Sequence, residues 1–425
     1  MTPILPRRDA ADVAPPGRLA VDTDTLTGAG RIVDAVLAGG DAAVRRWAES
    51  LGDLEPGAPL VIDRDACDQA LAALPDGDRA LLTRARDRIA AFARAQRDVL
   101  GDLDAPVDAG RAGHDLAPVS AAGCYAPGGR HPLPSSVLMT AVTARVAGVA
   151  QVIVASPRPT AVTLAAAALA DADAVLAVGG AQAIAGLVRG VAGLPPCDAV
   201  VGPGNRWVTA AKQLVAGRVR IDMLAGPSEL LVIADATADP ALVAADLLAQ
   251  AEHDPDAAPW LVTWDAPLVA AVDRALAAQL ADLPTADTAR AAMVNGGAVL
   301  VDGPEAAAAV SDRVAPEHLE IATGRPRDVL ALCRHYGAAF LGHASAEVMG
   351  DYGAGPNHTL PTGGTARWSG GLWVGTFLRA RTWLELDAAA PAYASLLADT
   401  ARFARLEGLE AHARASDRRG DSNPA

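Results

Sequence analysis

From Val119 onward the chain repeats one pattern four times: a short apolar run closed by glycine or proline, then a helical stretch. SAAGCYAPGG leads into SSVLMTAVTARVAG, QVIVASPRP into AVTLAAAALADA, AVLAVGG into AQAIAGLVRG, and DAVVGPGN into RWVTAAKQLVAG. Strands that alternate with helices argue for a parallel sheet with crossover helices on its faces. In such sheets ligands bind where strands end and helices begin.

A second set opens at Leu230–Ala234, continues through strand candidates at Trp260–Thr263, Ala298–Val301 and Ala338–Leu341, and predicts a helix from Leu268 to Leu283. Residues 1–27 are Pro-rich and read as a loose arm. Helical spacing covers Gly28–Leu51, Asp63–Leu100 and Asp387–Ala415, and residues 416–425 are expected to fray. The expected divisions are an arm at 1–27, a helical part of the first α/β domain at 28–117, an inserted domain at 118–227, a second α/β domain at 228–386 and a helical tail at 387–425. At roughly 150 residues per domain, a chain of 425 residues has room for these parts.

Composition narrows the partners. A net charge of −14 excludes a general binder of nucleic acid or anionic membrane, since both reward basic patches. No apolar run reaches the length of about 18 residues that a membrane span needs, and MTPILPRRDA lacks the apolar core of a signal peptide, so a soluble, cytoplasmic protein is expected. Cys67, Cys124, Cys197 and Cys333 lack C-x-x-C spacing and read as reduced thiols. Cys124 has no adjacent base and reads as buried packing before nucleophile.

Candidate chemistry begins at Asp239–Asp254, DPALVAADLLAQAEHD. Asp239 suits an N-cap, Pro240 the first helical turn, and Leu242, Val243, Leu247 and Leu248 an apolar stripe. Gln250 and His253, three apart near the C-terminal end, then share a face as two potential metal ligands. Asp351 and His412 are candidates for the others; the alternative is a polar helix end whose His253 satisfies terminal carbonyls. Glu317 and His318 pair a carboxylate with an imidazole in APEHLE, where neighbours point differently and would act separately, or are a surface Glu beside a packed His. Gly350–Thr362 surrounds Asp351, Asn357 and His358 with special backbone residues. Gly202-Pro203-Gly204-Asn205 follows a strand, but Trp207 stands where a dinucleotide fingerprint needs its third glycine. That turn and Gly179–Gln182 remain sites for phosphate or polar groups, or are glycines required by packing.

Together YAPGG (125–129), VGGAQAIAG (178–186), GPGN (202–205), AGPSELLVIAD (225–235), DLLAQAEHDP (246–255), APEHLE (315–320), GDYGAGPNHTLPTGGTAR (350–367) and EGLEAH (407–412) resemble the histidinol dehydrogenase family, from about residue 30 to residue 415. The resemblance implies an α/β fold of two Rossmann-like parallel-sheet domains with helical N-terminal and C-terminal segments. It implies one zinc per subunit held by Gln250, His253, Asp351 and His412, with Glu317 and His318 as acid/base residues. Substrate contacts would come from the four ligands, His318, Ser228, His358 and Glu407, and NAD contacts from Tyr125, Gln182 and Asn205.

The implied reaction is oxidation of L-histidinol to L-histidine through the aldehyde with two NAD, the last steps of histidine biosynthesis. The implied assembly is a homodimer whose tail completes the partner's site. The run after Arg367, with Trp368, Trp373 and Trp383, departs from the family pattern, so another alcohol such as sulfopropanediol is the alternative substrate. Retention of Glu317, His318, Asp351, His358 and Glu407 favours histidinol. A zinc hydrolase using Glu317 leaves the glycine-rich turns without a role, and a silent assembly protein leaves every ligand candidate without one.

Overall fold

The computed structural model describes residues 3–13, 21–128 and 132–421. Part of the expected arm (14–20), Gly129 of the YAPGG motif and the last four residues lie outside them. The chain divides into two compact units, one of residues 1–96 and 119–377, the other of 97–118 and 378–425.

Among the described residues fifteen strands form, in chain order: β1 Arg7–Arg8, β2 Val61–Asp63, β3 Leu103–Val107, β4 Gly110–Pro118, β5 Ala121–Tyr125, β6 Gln151–Ala155, β7 Ala174–Leu176, β8 Ala199–Val201, β9 Arg220–Ile221, β10 Glu229–Ala234, β11 Ala258–Thr263, β12 Gly297–Leu300, β13 His318–Ala322, β14 Ala338–Leu341 and β15 Leu378–Leu386. The first unit holds two six-stranded sheets, ordered β2-β7-β6-β5-β8-β9 and β1-β12-β11-β10-β13-β14. All pairings in both are parallel except β2 with β7. The α/β expectation therefore describes this unit.

Burial explains the layering. Along β10, Leu230, Val232 and Ala234 enter one apolar cluster and Leu231 and Ile233 the other, the period of two expected for a strand covered on both faces. The helices Pro240–Ala251, Ala266–Gln279 and Ala286–Met293 cover the first face; Pro304–Val314 and Pro326–Leu330 cover the second. On β13, Leu319 and Ile321 join the second face and Ala322 the first. His318 and Glu320, which alternate with Leu319 and Ile321, therefore point to the side of the Pro240–Ala251 helix.

Several expectations are corrected. Leu103–Val107 and Gly110–Pro118, assigned above to a helical part, are β3 and β4; with β15 they form the antiparallel sheet of the second unit, ordered β15-β4-β3. Trp383 faces Gly113 across that sheet, where a Cβ would stand 2.6 Å from its ring, so the glycine makes room for the indole. Within the expected loose arm, Arg7 and Arg8 pair with β12. The tail forms two helices, Tyr393–Leu406 and Glu410–Asp421, the second continuing through residues expected to fray. Leu242 is 50% exposed, and Ala244 and Ala251 join Val243, Leu247 and Leu248 on the buried stripe in its place.

Candidate functional site

Asp239 caps its helix by accepting the Ala241 N–H at 2.8 Å, and the helix runs Pro240–Ala251. His253 lies just past its end, so it shares a turn with Gln250, not a helix face; its N–H donates to the Gln250 carbonyl at 3.4 Å. Gln250 is fully buried, and among the described residues neither its Oε1 nor its Nε2 has a hydrogen-bond partner. A buried amide left this way costs about 1–3 kcal/mol unless a ligand satisfies it.

Asp351 ends the short helix Glu347–Asp351. Its Oδ2 lies 3.9 Å from His253 Nε2, and donor atoms of His253, Glu347 and Asp351 all fall within 4.8 Å of one another. Bonds of about 2.1 Å in tetrahedral geometry place donors about 3.4 Å apart, so a small contraction closes His253 and Asp351 on a zinc-sized ion. Both carboxylate oxygens of Glu347, a residue sequence reasoning missed, are buried without a hydrogen-bond partner. Burial pushes Glu347 up to about 9, with the Asp351 charge adding to it. A cation among these oxygens would favour their ionised forms. The imidazole, the carboxylates and the orphaned amide fit a divalent ion of the zinc type.

Ala315, held at a left-handed φ of 51° at the end of the Pro304–Val314 helix, turns the chain through Pro316 into Glu317 and β13. Glu317 and His318 converge on the backbone of one residue: Glu317 Oε2 accepts the Glu229 N–H at 3.1 Å, and His318 Nδ1 lies 3.1 Å from the Glu229 carbonyl. The two groups come within 3.7 Å, so these neighbours point apart less than expected. Because a carbonyl only accepts, Nδ1 carries the proton and Nε2 is the free base. Nε2 has no hydrogen-bond partner and lies 4.0 Å from Glu347 Oε1. Burial lowers His318 to about 4, keeping it neutral near pH 7. Burial raises Glu317 well above the usual carboxylate range, with the charges of Glu229, Asp351 and Glu347 adding to the effect. Two bases of different strength therefore flank Glu229.

His358 is engaged at both nitrogens, Nδ1 with the Asp351 carbonyl at 3.0 Å and Nε2 with Ser136 Oγ at 3.2 Å. It lines a cavity of about 660 Å³ together with Asn205, Ser228, His253 and Glu317. A neighbouring cavity of about 770 Å³ is lined by Tyr125, Gln182 and again Asn205. Asn205 Oδ1 caps the Arg206–Val215 helix through the Trp207 and Val208 N–H groups. The Tyr125 hydroxyl accepts the Gly180 N–H at 3.3 Å.

Gly202, at φ 117°, allows the turn between them: a Cβ there would stand 2.0 Å from the Tyr125 carbonyl oxygen. A buried Lys212–Asp222 pair holds the same glycine, Lys212 donating to its carbonyl at 3.0 Å and Asp222 accepting its N–H at 2.7 Å. Tyr125 ends β5 and Gly202 follows β8, at strand ends as expected for the first sheet. In the second sheet, Ser228 and Glu317 precede β10 and β13, so its candidate residues gather at strand starts. The Pro240–Ala251 helix runs back along the sheet and delivers Gln250 and His253 to that edge. Trp368 and Trp373 line neither cavity. Glu407 and His412 belong to the second unit, where both are exposed.

Paired parallel sheets, two adjoining cavities, and buried bases beside a cluster of metal-type donors define an α/β protein built for chemistry on a small molecule. The family model described as Histidinol dehydrogenase matches residues 20–420. Histidinol dehydrogenase of Thermus thermophilus is 45% identical over 390 residues, covering 91% of this chain and 93% of that one. The Halobacterium salinarum protein of that name is 45% identical over 421 residues, covering 96% and 98%. The crystal structure of histidinol dehydrogenase from Elizabethkingia anophelis superposes with a TM-score of 0.91 at 29% identity, covering 99% of each chain. The chain belongs to the histidinol dehydrogenase family.

Proposed function

We propose that the protein oxidises L-histidinol to L-histidine through L-histidinaldehyde, consuming two NAD and one water per turnover, as the last steps of histidine biosynthesis in the cytoplasm. The reading rests on one observation above the others: buried Glu317 and His318 stand beside the His253–Glu347–Asp351 donor cluster in a chain of this family.

In this reading Gln250, His253 and Asp351 would hold one zinc per subunit, with His412 as the fourth ligand. Zinc supplies a fixed anchor that keeps the aldehyde in place between the two oxidations. Tyr125, Gln182 and Asn205 would hold NAD, which would supply the hydride acceptor for both oxidations. His318 Nε2 takes the alcohol proton in the first oxidation. Glu317 takes a proton from the water that adds to the aldehyde before the second. Ser228, His358 and Glu407 hold the substrate, Glu407 at the far imidazole nitrogen. On this scheme residues 118–227 form the NAD side and 228–386 the zinc side.

We also read the protein as a homodimer in which a second copy supplies Glu407 and His412. Phe403, Leu406 and Leu409 support this: they are 64, 78 and 44% exposed around the two tail helices, an apolar face of the kind that pairing covers. The second cavity argues against a zinc hydrolase, which has no use for a nucleotide-sized space beside its water. The test is NADH formation with L-histidinol in zinc-supplied protein. Two NADH per histidinol supports the reading; one marks a simple alcohol dehydrogenase. None with histidinol but activity on sulfopropanediol assigns the other substrate.

A further inference from the structure

The larger cavity contains an acid that the proposed chemistry does not use. Asp53 follows the Thr23–Ser50 helix, its own N–H bound to the Ala48 carbonyl at 2.8 Å. It lines the cavity about 130 residues along the chain from Gln182, yet its Oδ2 accepts the Gln182 Nε2–H at 2.7 Å and the Gly179 N–H at 3.2 Å. A carboxylate only accepts, so it dictates which end of the Gln182 amide faces it. Gln182 Oε1 is thereby turned away, and it is buried without a hydrogen-bond partner among the described residues, in a side chain 1% exposed. A cavity wall that carries an orphaned carbonyl oxygen beside a carboxylate asks for a ligand that donates hydrogen bonds and carries no charge at that point.

Resting on the nicotinamide-nucleotide reading above, the placement of the two ends follows. Hydride has to arrive beside Glu317 and Ser228 in the smaller cavity, so the adenosine half of the cofactor occupies the larger one, where Ile32, Pro157 and Trp207 offer apolar walls for a flat base. We propose that Asp53 is a specificity-determining residue: by orienting Gln182 and by its own charge, it selects a nucleotide whose ribose keeps free hydroxyls and rejects one bearing a 2′-phosphate. Ribose hydroxyls donate to Gln182 Oε1 and Asp53; a phosphate only accepts and meets two acceptors, one of them anionic. Arg158, exposed on the same wall, is the one cation among the described lining residues and limits the repulsion without removing the acceptors.

The experiment is calorimetric titration of the full-length, zinc-loaded protein with ADP-ribose and with its 2′-phosphorylated form, probes that need no turnover. Wild type is expected to prefer ADP-ribose by at least about 100-fold, the scale of a like-charge juxtaposition. Asp53→Asn, which removes the charge and lets the Gln182 amide turn over, is expected to cut that preference to about tenfold or less, whereas Asp53→Glu retains it. Asp53→Ser serves as a second neutral variant if the first does not fold. Unchanged discrimination in a folded neutral variant overturns the assignment to Asp53 and leaves the cofactor reading standing. Failure of wild type to bind ADP-ribose or NAD at millimolar concentration overturns the cofactor reading, and this inference with it.

Discussion

Glu317→Gln should separate the two proposed oxidations. Glu317 is 6% exposed, and among the described residues the one hydrogen bond of its side chain is that which Oε2 accepts from the Glu229 N–H. Glutamine has the same volume and keeps an acceptor for that N–H, so the fold loses no more than about 1 kcal/mol. What disappears is a base. General-base catalysis is worth about 10²–10⁴-fold, which at 1.36 kcal/mol per decade is about 3–5 kcal/mol of barrier, all of it charged to hydration of the aldehyde. The alcohol step keeps its own acceptor, His318 Nε2, and slows by less than about tenfold. Single-turnover NADH formation with histidinol should show one fast phase, with the second NADH delayed and the stoichiometry on that timescale falling from two towards one. In wild type the delayed step should quicken as pH rises through the elevated Glu317 pKa, because only the carboxylate accepts a proton. Equal slowing of both phases would refute the division of labour.

His318→Gln should slow the first oxidation by about 10²-fold or more while added histidinaldehyde is still oxidised. In wild type that first step should be independent of pH down to the neighbourhood of 4, where burial has placed the imidazole, and should fall below it as Nε2 is protonated. Lys212→Ala leaves the buried Asp222 carboxylate without its counter-charge beneath Gly202 and should cost about 3–5 kcal/mol in urea unfolding; a loss under about 1 kcal/mol would mean that the pair does not brace the turn. Leu406→Asp places a charge on the exposed tail face and should shift sedimentation from dimer to monomer, with activity lost in parallel, if that face is the interface.

The two parallel sheets were legible because their strands are buried on both faces and read as apolar runs punctuated by glycine. The elements that escaped did so for identifiable reasons. β13 begins with His318 and carries Glu320, so polar residues turned to the Pro240–Ala251 helix interrupt the run that would mark a strand. The hairpin of β3 and β4 is rich in Asp and Gly, and its third strand comes from Leu378–Leu386, more than 250 residues away, so no local pattern announces it. β1 is two residues long, too short for an alternation to show, and pairs with β12 from about 290 residues away. At the candidate site, metal-type residues were visible as types, but their convergence is a tertiary property. Glu347, four residues before Asp351, could have been found by asking which acid shares its helix face. Asp53 could not, because its only tie to Gln182 is a contact across the fold.

The account stands on one divalent ion bound by Gln250, His253 and Asp351 next to Glu317 and His318. Crystals of the zinc-loaded protein, measured on either side of the zinc absorption edge, locate that ion directly. The prediction is one anomalous peak per chain, about 2.0–2.2 Å from Gln250 Oε1, His253 Nε2 and an Asp351 carboxylate oxygen, with His412 of a second copy completing the set. A peak elsewhere, or none in zinc-saturated crystals of active protein, would contradict it.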